Sequence, residues 1–239
     1  MAPVNLFFDA LKYIFDNIDK KIIINKEFAR IYKYILNHID KDKLAILAVE
    51  DDNLNVIKRL FTNDELCDKI EIMFEAARFG KLDIIKYLQN IGMNLNAASN
   101  HAYKLAAGAG YTDILYYIDS QIDIKNKHPA LISACYRCNL NSIKYLIEVA
   151  NVELNNGWDF PLEIICEEGD IQILDYLSKN GADIHQINSF SIYRACSLGH
   201  VDMIKYLIDN GVKGIYGNST CIRMAKLNNH HELINLLSA

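Results

Sequence analysis

Proline is nearly missing, with three residues in 239. Proline fixes φ and removes a donor, and irregular linkers usually draw on it. Its scarcity leaves little from which to build long structureless segments, and no composition shift marks a domain boundary. Positive charge is not in excess either. Lys and Arg number 25 against 30 Asp and Glu, a net charge of −5, which argues against a nucleic-acid surface. No run of about 18 apolar residues occurs, so no membrane span is expected. The apolar N-terminus lacks a basic leader and is interrupted by Asp9 and Lys12, so it does not read as a secretory signal. The chain is therefore expected inside the cell, in the cytoplasm, with its six cysteines reduced. There the sequon Asn218-Ser219-Thr220 would be idle. What is plentiful is hydrophobicity. At 51% of the residues it excludes wholesale disorder.

That hydrophobicity is periodic. Ala76-Ala77-Arg78-Phe79-Gly80-Lys81-Leu82-Asp83-Ile84-Ile85-Lys86-Tyr87-Leu88 aligns without a gap with Ala195-Cys196-Ser197-Leu198-Gly199-His200-Val201-Asp202-Met203-Ile204-Lys205-Tyr206-Leu207. With the first alanine of each as an anchor, anchors fall at Ala48, Ala76, Ala106, Ala134, Ile165, Ala195 and Ala225, separated by 28, 30, 28, 31, 30 and 30 residues. Nine and twelve residues past each anchor stand Ile or Leu, from Ile57 and Leu60 to Ile234 and Leu237. Together with position six (Leu54, Leu82, Leu140, Ile171 and Val201) they form one helical face that only a stacked neighbour can bury. A small anchor suits a close helix crossing. Gly80, Gly110, Gly169 and Gly199, four past their anchors, end a first helix. Asp83, Asp113, Asp202 and Glu232, at seven, open a second helix, where acid is favoured. Gly92, Gly181 and Gly211 follow that second helix.

These residues resemble the ankyrin repeat, and Gly181-Ala182-Asp183 is similar to its repeat-ending segment. The resemblance covers residues 43–239. It implies an all-α, ankyrin-type helix-turn-helix solenoid of about seven short repeats (43–69, 70–100, 101–127, 128–158, 159–188, 189–218 and 219–239). The Thr-Pro-Leu-His opening of the family is degraded; Phe160-Pro161-Leu162-Glu163 is the nearest copy. The period is about three residues shorter than the usual ~33. Both departures imply trimmed β-fingers and a chain of helices and tight turns. Lys-Tyr-Leu outer helices and heavy use of Ile, Asn, Lys and Tyr resemble the ankyrin-repeat proteins of giant DNA viruses of amoebae, which would place the chain in host cytoplasm. Residues 1–42 do not fit the repeat. Phe7, Leu11, Ile14, Phe15 and Ile18, then Phe28, Ile31, Tyr32, Ile35 and Leu36, make two helical stripes. They are expected to form an N-terminal helical cap, or alternatively an adaptor segment that docks a second machine such as a ubiquitin ligase.

Catalytic and metal motifs are weak. Cys135-Tyr136-Arg137-Cys138 has a redox or zinc half-site spacing. However, Cys135, Cys166 and Cys196 share one repeat slot, which Ala77 and Ala107 fill earlier, so they read as small core residues. Stacked helices 8–10 Å apart hold such a ladder too far apart for disulfides. Gly108-Ala109-Gly110 lacks the strand and the Lys-Ser/Thr of a phosphate loop. His230-His231-Glu232 is not a zinc helix motif. His200 and His230 fall after the helix-ending position, where ankyrin repeats often carry histidine for local backbone hydrogen bonds. No enzyme activity, metal or cofactor is expected.

The resemblance implies a protein-binding module, here a monomer, with its partner on the concave side. Its exposed positions lie two and three past each anchor: Glu50-Asp51, Arg78-Phe79, Gly108-Ala109, Tyr136-Arg137, Glu167-Glu168, Ser197-Leu198 and Leu227-Asn228. Aromatic residues and arginine are common interface anchors. The candidate partner-binding residues are therefore Arg78, Phe79, Tyr136, Arg137, Glu167, Glu168 and Leu198, with Trp158 in the turn before the fifth repeat as a possible tip anchor or gap cover. The column Tyr87, Tyr117, Tyr145, Tyr176 and Tyr206 is expected half-exposed on the outer helices, with its rings packed together and its hydroxyls in water. A convex binding stripe is the alternative for that column.

Overall fold

The computed structural model describes residues 41–62, 68–94, 99–121, 127–154 and 160–238. Among these residues there are fourteen α-helices, one 3₁₀ turn and no strand. The helices are α1 Lys41–Glu50, α2 Leu54–Thr62, α3 Lys69–Arg78, α4 Leu82–Asn90, α5 Ser99–Ala109, α6 Thr112–Gln121 and α7 His128–Tyr136. They continue as α8 Leu140–Glu148, α9 Phe160–Glu168, α10 Ile171–Lys179, α11 Ser189–Leu198, α12 Val201–Asp209, α13 Ser219–Leu227 and α14 His231–Ser238. The expected N-terminal cap, apart from the start of α1, lies outside the described residues, as does Trp158.

The chain forms two compact units, the first ending at Ala102 and the second running from Tyr103 to Ala239. Within the first, α1 packs on α2 and α3, α3 on α4, and α2 on α4. Within the second, α7, α9, α11 and α13 pack in succession, and α10, α12 and α14 do the same. Every odd helix carries one anchor, and the anchors are buried throughout, from Ala48 to Ala225. The positions nine and twelve past the anchor are buried as well, except for the half-buried Ile234. This is an all-α repeat fold in which each hairpin supplies one face that its neighbour seals.

The reversal between paired helices is the same in every repeat. The residue four past the anchor has positive φ at Asp52 (58°), Gly80 (75°), Gly110 (93°), Cys138 (50°), Gly169 (80°), Gly199 (78°) and Asn229 (60°). At six of the seven the next residue's N–H donates back to the anchor carbonyl, at 2.7 Å for Asn53 to Ala48, 2.9 Å for Asn139 to Ala134 and 3.1 Å for His200 to Ala195; in the fifth repeat Gly169 N donates to Ile165 O at 2.9 Å. Those six are left-handed helix caps closed by a 6→1 bond. The conformation, rather than glycine itself, is the repeated feature. Asp and Asn tolerate it, because a short polar side chain can bond locally. Cysteine has no such aid.

Capping side chains open several helices. Asp68 accepts from Ile70 N (2.8 Å) and Asp170 from Ile173 N (3.0 Å). Asn188 accepts from Ser191 N (2.9 Å) and Asn218 from Thr220 N (2.9 Å). Each satisfies an orphan donor of the first turn. The sequon asparagine is thus the N-cap of α13.

Cys138→Gly is expected to raise stability. A left-handed backbone costs a β-carbon residue about 1–2 kcal/mol, while the added freedom of an unfolded glycine takes back about 0.4–1 kcal/mol. Chemical denaturation should show a higher midpoint with an unchanged slope. A lower midpoint would contradict the assignment of strain to this turn.

Candidate functional site

Three bonds tie successive repeats of the second unit at the helix reversal. His200 Nε2 lies 2.9 Å from Glu167 O, and His230 Nε2 lies 2.9 Å from Ser197 O. Asn139 Nδ2 donates to Gly108 O. Each donor stands five past its anchor, and each acceptor two past the previous one. A carbonyl only accepts, so both imidazoles carry their proton on Nε2. The sequence led to an expectation of local backbone bonds for these histidines; instead their Nε2 atoms reach back 33 residues. Their rings lie over the preceding turn. A Cβ on Gly169 would come within 2.7 Å of the His200 ring, and one on Gly199 within 2.5 Å of the His230 ring.

The tyrosine column forms a second ladder, on the outer helices. Tyr145 Oη donates to Asp119 Oδ2 (2.9 Å), Tyr176 Oη to Glu148 Oε1 (2.7 Å) and Tyr206 Oη to Asp175 Oδ1 (3.2 Å). In the first unit Tyr87 Oη donates to Lys58 O at 3.4 Å. The half-exposed position was legible in the sequence. The hydroxyls, however, are not left to water: these four bond to the repeat before. Asp119 is the hub. Its Oδ2 also accepts from the buried Tyr103 at 2.7 Å, and Lys127 Nζ lies 2.9 Å from its Oδ1. Burial first, then the bond to Asp119, pushes the Tyr103 phenol well above its usual range. The same causes raise Tyr145.

The sequence-derived candidates divide between the units. In the first, Arg78 is exposed but ion-paired to Glu75 at 3.2 Å, and Phe79 is half-buried. In the second, Tyr136 is 60% and Leu198 46% exposed, and Arg137 and Glu168 are also exposed. Glu167 is partly engaged within the stack: it accepts from Ser191 Oγ at 2.9 Å and faces Arg194 Nε at 4.0 Å. Phe190, 67% exposed on α11, was missed. It stands five before its anchor, a slot that holds Lys43, Glu71, His101, Pro129, Phe160 and Thr220 elsewhere, so the only available signal was that the slot turns aromatic in the fifth and sixth repeats. Leu227, 70% exposed, lies at one of the positions read as exposed from sequence.

The described cysteines are free thiols; Cys67 lies outside the described residues. Burial pushes Cys135 and Cys166 up to about 12, so these thiols are poor nucleophiles. One relation was unforeseen. Cys221, from a different slot, lies beside Cys196, and their interaction raises Cys196 and lowers Cys221. Among the described residues no group of three His, Cys, Asp or Glu could hold a metal ion, and no helix is long and apolar enough to cross a membrane.

The Tyr103 arrangement has an alkaline consequence. An unfolded phenol ionises near pH 10, whereas the folded Tyr103 resists ionisation. Above pH 10 the native state therefore retains a proton that the unfolded state has lost, and stability falls as pH rises. In Tyr103→Phe that fall should be smaller by about 1 kcal/mol between pH 10 and 11. Denaturation curves with the same slope in both proteins would contradict the burial of this phenol.

A family model for ankyrin repeats matches residues 103–188 with three copies, the span of the third to fifth repeats. Three proteins of Acanthamoeba polyphaga mimivirus, each named an ankyrin repeat protein, are similar. The first is 24% identical over 190 residues, covering 80% of this chain and 29% of its own length. The second is 26% identical over 191 residues, covering 76% and 48%, and the third 22% over 223 residues, covering 84% and 49%. This chain thus spans less than half the length of these relatives. With its helix pairs and left-handed reversals, the chain carries three matched ankyrin repeats over residues 103–188 and is similar to ankyrin repeat proteins of this giant virus.

Proposed function

We propose that this protein is a non-catalytic binding module whose protein partner docks on the exposed edge of the odd-numbered helices in the second unit. The observation that carries this reading is the exposure of large side chains on those helices. Tyr136, Phe190, Leu198 and Leu227 are between 46% and 70% exposed, on helices whose opposite faces are sealed. Water alone gives no reason to present an aromatic on α7, an aromatic and a leucine on α11 and a leucine on α13. Aromatic residues and arginine dominate binding hot spots, and Arg137 stands beside Tyr136. Glu168 and Arg137 supply charge of both signs at the rim, which favours a particular partner more than it adds affinity.

A comparative pull-down from the cells that make the protein tests this. Tyr136→Ala with Leu198→Ala should reduce recovery of the bound protein at least about tenfold, since each hot-spot truncation costs above about 1 kcal/mol. Tyr116→Ala, 66% exposed on the outer helix α6, should leave recovery unchanged. Loss through Tyr116→Ala alone would move the binding face to the outer helices.

A further inference from the structure

We infer that Cys196 and Cys221 form a redox-sensitive staple between the sixth and seventh repeats, closing to a disulfide under a peroxide and reopening under a thiol reductant. Neither residue belongs to the exposed edge, so the inference stands apart from the binding reading.

Two repeat columns meet where neighbouring odd helices cross. One past the anchor stand Val49, Ala77, Ala107, Cys135, Cys166 and Cys196, all with no exposed area. Four before the next anchor stand Ile72, Ala102, Ala130, Pro161, Ser191 and Cys221, all buried. A polar contact fixes the meeting in one repeat pair: Ser191 Oγ donates to Glu167 Oε1 at 2.9 Å, one residue beyond Cys166. The same relation sets Cys221 on α13 beside Cys196 on α11, and these two helices pack on one another. Ser197, next to Cys196, is held from the seventh repeat as well. Its carbonyl lies 2.9 Å from His230 Nε2, and its Oγ accepts from Asn228 Nδ2 at 3.1 Å.

Only at this crossing do both columns hold cysteine; Cys135 and Cys166 are matched with Pro161 and Ser191. Members of one column are separated by the whole stacking distance of about 8–10 Å, beyond disulfide reach. Facing members of the two columns are not. Each helix carries its Cα atoms at a radius of about 2.3 Å. Axes about 8–10 Å apart therefore leave about 4–6 Å between Cα atoms that face each other across the contact, the separation a disulfide requires. Alanine fills both columns at two other crossings, Ala77 with Ala102 and Ala107 with Ala130, as a close approach demands.

The two thiols differ in the way the chemistry needs. Their interaction lowers Cys221 and raises Cys196, so Cys221 supplies the thiolate that reacts first. Its sulfur attacks one oxygen of hydrogen peroxide. The S–O bond forms, the O–O bond breaks, and the departing hydroxide takes up the thiol's proton as water. Cys221 is then a sulfenic acid. The Cys196 sulfur attacks the Cys221 sulfur and gives up its own proton. The S–S bond forms, the S–O bond breaks, and hydroxide leaves as a second water. Two thiols have lost two electrons and the peroxide has gained them. A dithiol reductant restores both thiols by exchange and is itself oxidised to a disulfide. Both thiols are enclosed, so the oxidant enters by local opening of the contact between α11 and α13.

The test treats the freshly reduced full chain with hydrogen peroxide and counts its thiols after unfolding. The count should fall by two from the six of the sequence. Peptide mapping without reductant should join the peptides that carry Cys196 and Cys221 within one chain. The oxidised protein should unfold at a higher denaturant midpoint, because the link constrains the unfolded chain, and dithiothreitol should restore both values. Cys221→Ser, with its fold checked by circular dichroism, should lose no thiols and show no shift of midpoint. Cys138→Ser should still form the link. The peptide map of the unaltered chain decides the matter even if a variant fails to fold. An unchanged thiol count would overturn the proposal. So would linkage of Cys135 to Cys138, links between chains, or sulfinic acid at Cys196 or Cys221 without a link. A link that leaves the midpoint unchanged or lowers it would be a strained by-product, and would overturn the staple as well.

Discussion

The left-handed turn four residues past each anchor is the constraint on which the rest of the second unit depends. It reverses the chain between paired helices, and in all but the fifth repeat its backbone brings the following residue's N–H to the anchor carbonyl. It also leaves a bare backbone surface at Gly169 and Gly199, over which the imidazoles of the next repeats lie. Each imidazole then reaches the carbonyl two past the previous anchor, at 2.9 Å in both repeats. A carbonyl near a helix C-terminus has no intrahelical donor. One side chain therefore satisfies an orphan acceptor, fixes its own tautomer and sets the spacing between hairpins. Hydrophobic burial supplies most of the stabilisation but has no direction. These bonds supply the register.

The outer ladder repeats that logic with different chemistry. Tyrosine hydroxyls from α8, α10 and α12 donate to carboxylates of the repeat before. Asp119 carries the largest share, receiving two phenols and a lysine in a partly sheltered place. A carboxylate so placed is costly to leave unpaired, which makes this junction more specific than the apolar contacts around it. The result is a unit whose two layers are each fixed by polar contacts. On that scaffold the exposed edge side chains can vary without disturbing the core.

Much of this was legible in the sequence because the repeat is self-similar. The anchors, the buried positions and most of the exposed edge follow from one alignment of the chain with itself, since stacking forces equivalent residues into equivalent places, although Gly108 at that edge is buried and Phe79, Glu167 and Ser197 are half-buried. The polar links were not legible. Period shows that Tyr145 is half-exposed, but not that Asp119, 26 residues earlier, meets its hydroxyl. Cys221 escaped for the same reason. It belongs to no column with Cys196, so only the packing of α13 on α11 brings the thiols together. The histidines were placed at the correct position but given local partners, because a sequence shows a side chain's place in its own repeat and not its reach into the last. Phe190 was hidden because its slot has no constant character, running from Lys43 and Glu71 to Pro129 and Phe160, so the alignment gives it no place.

The coupling between Gly199 and His230 tests the account of register most directly. A double-mutant cycle with Gly199→Ala and His230→Ala, read by chemical denaturation, separates the strain of a β-carbon at positive φ from its collision with the imidazole. If the ring seated on the glycine sets the register, Gly199→Ala should cost clearly less once the ring is removed, with a coupling of about 1 kcal/mol or more. Effects that add to within about 0.3–0.5 kcal/mol would show that turn and imidazole act independently, and would contradict the account.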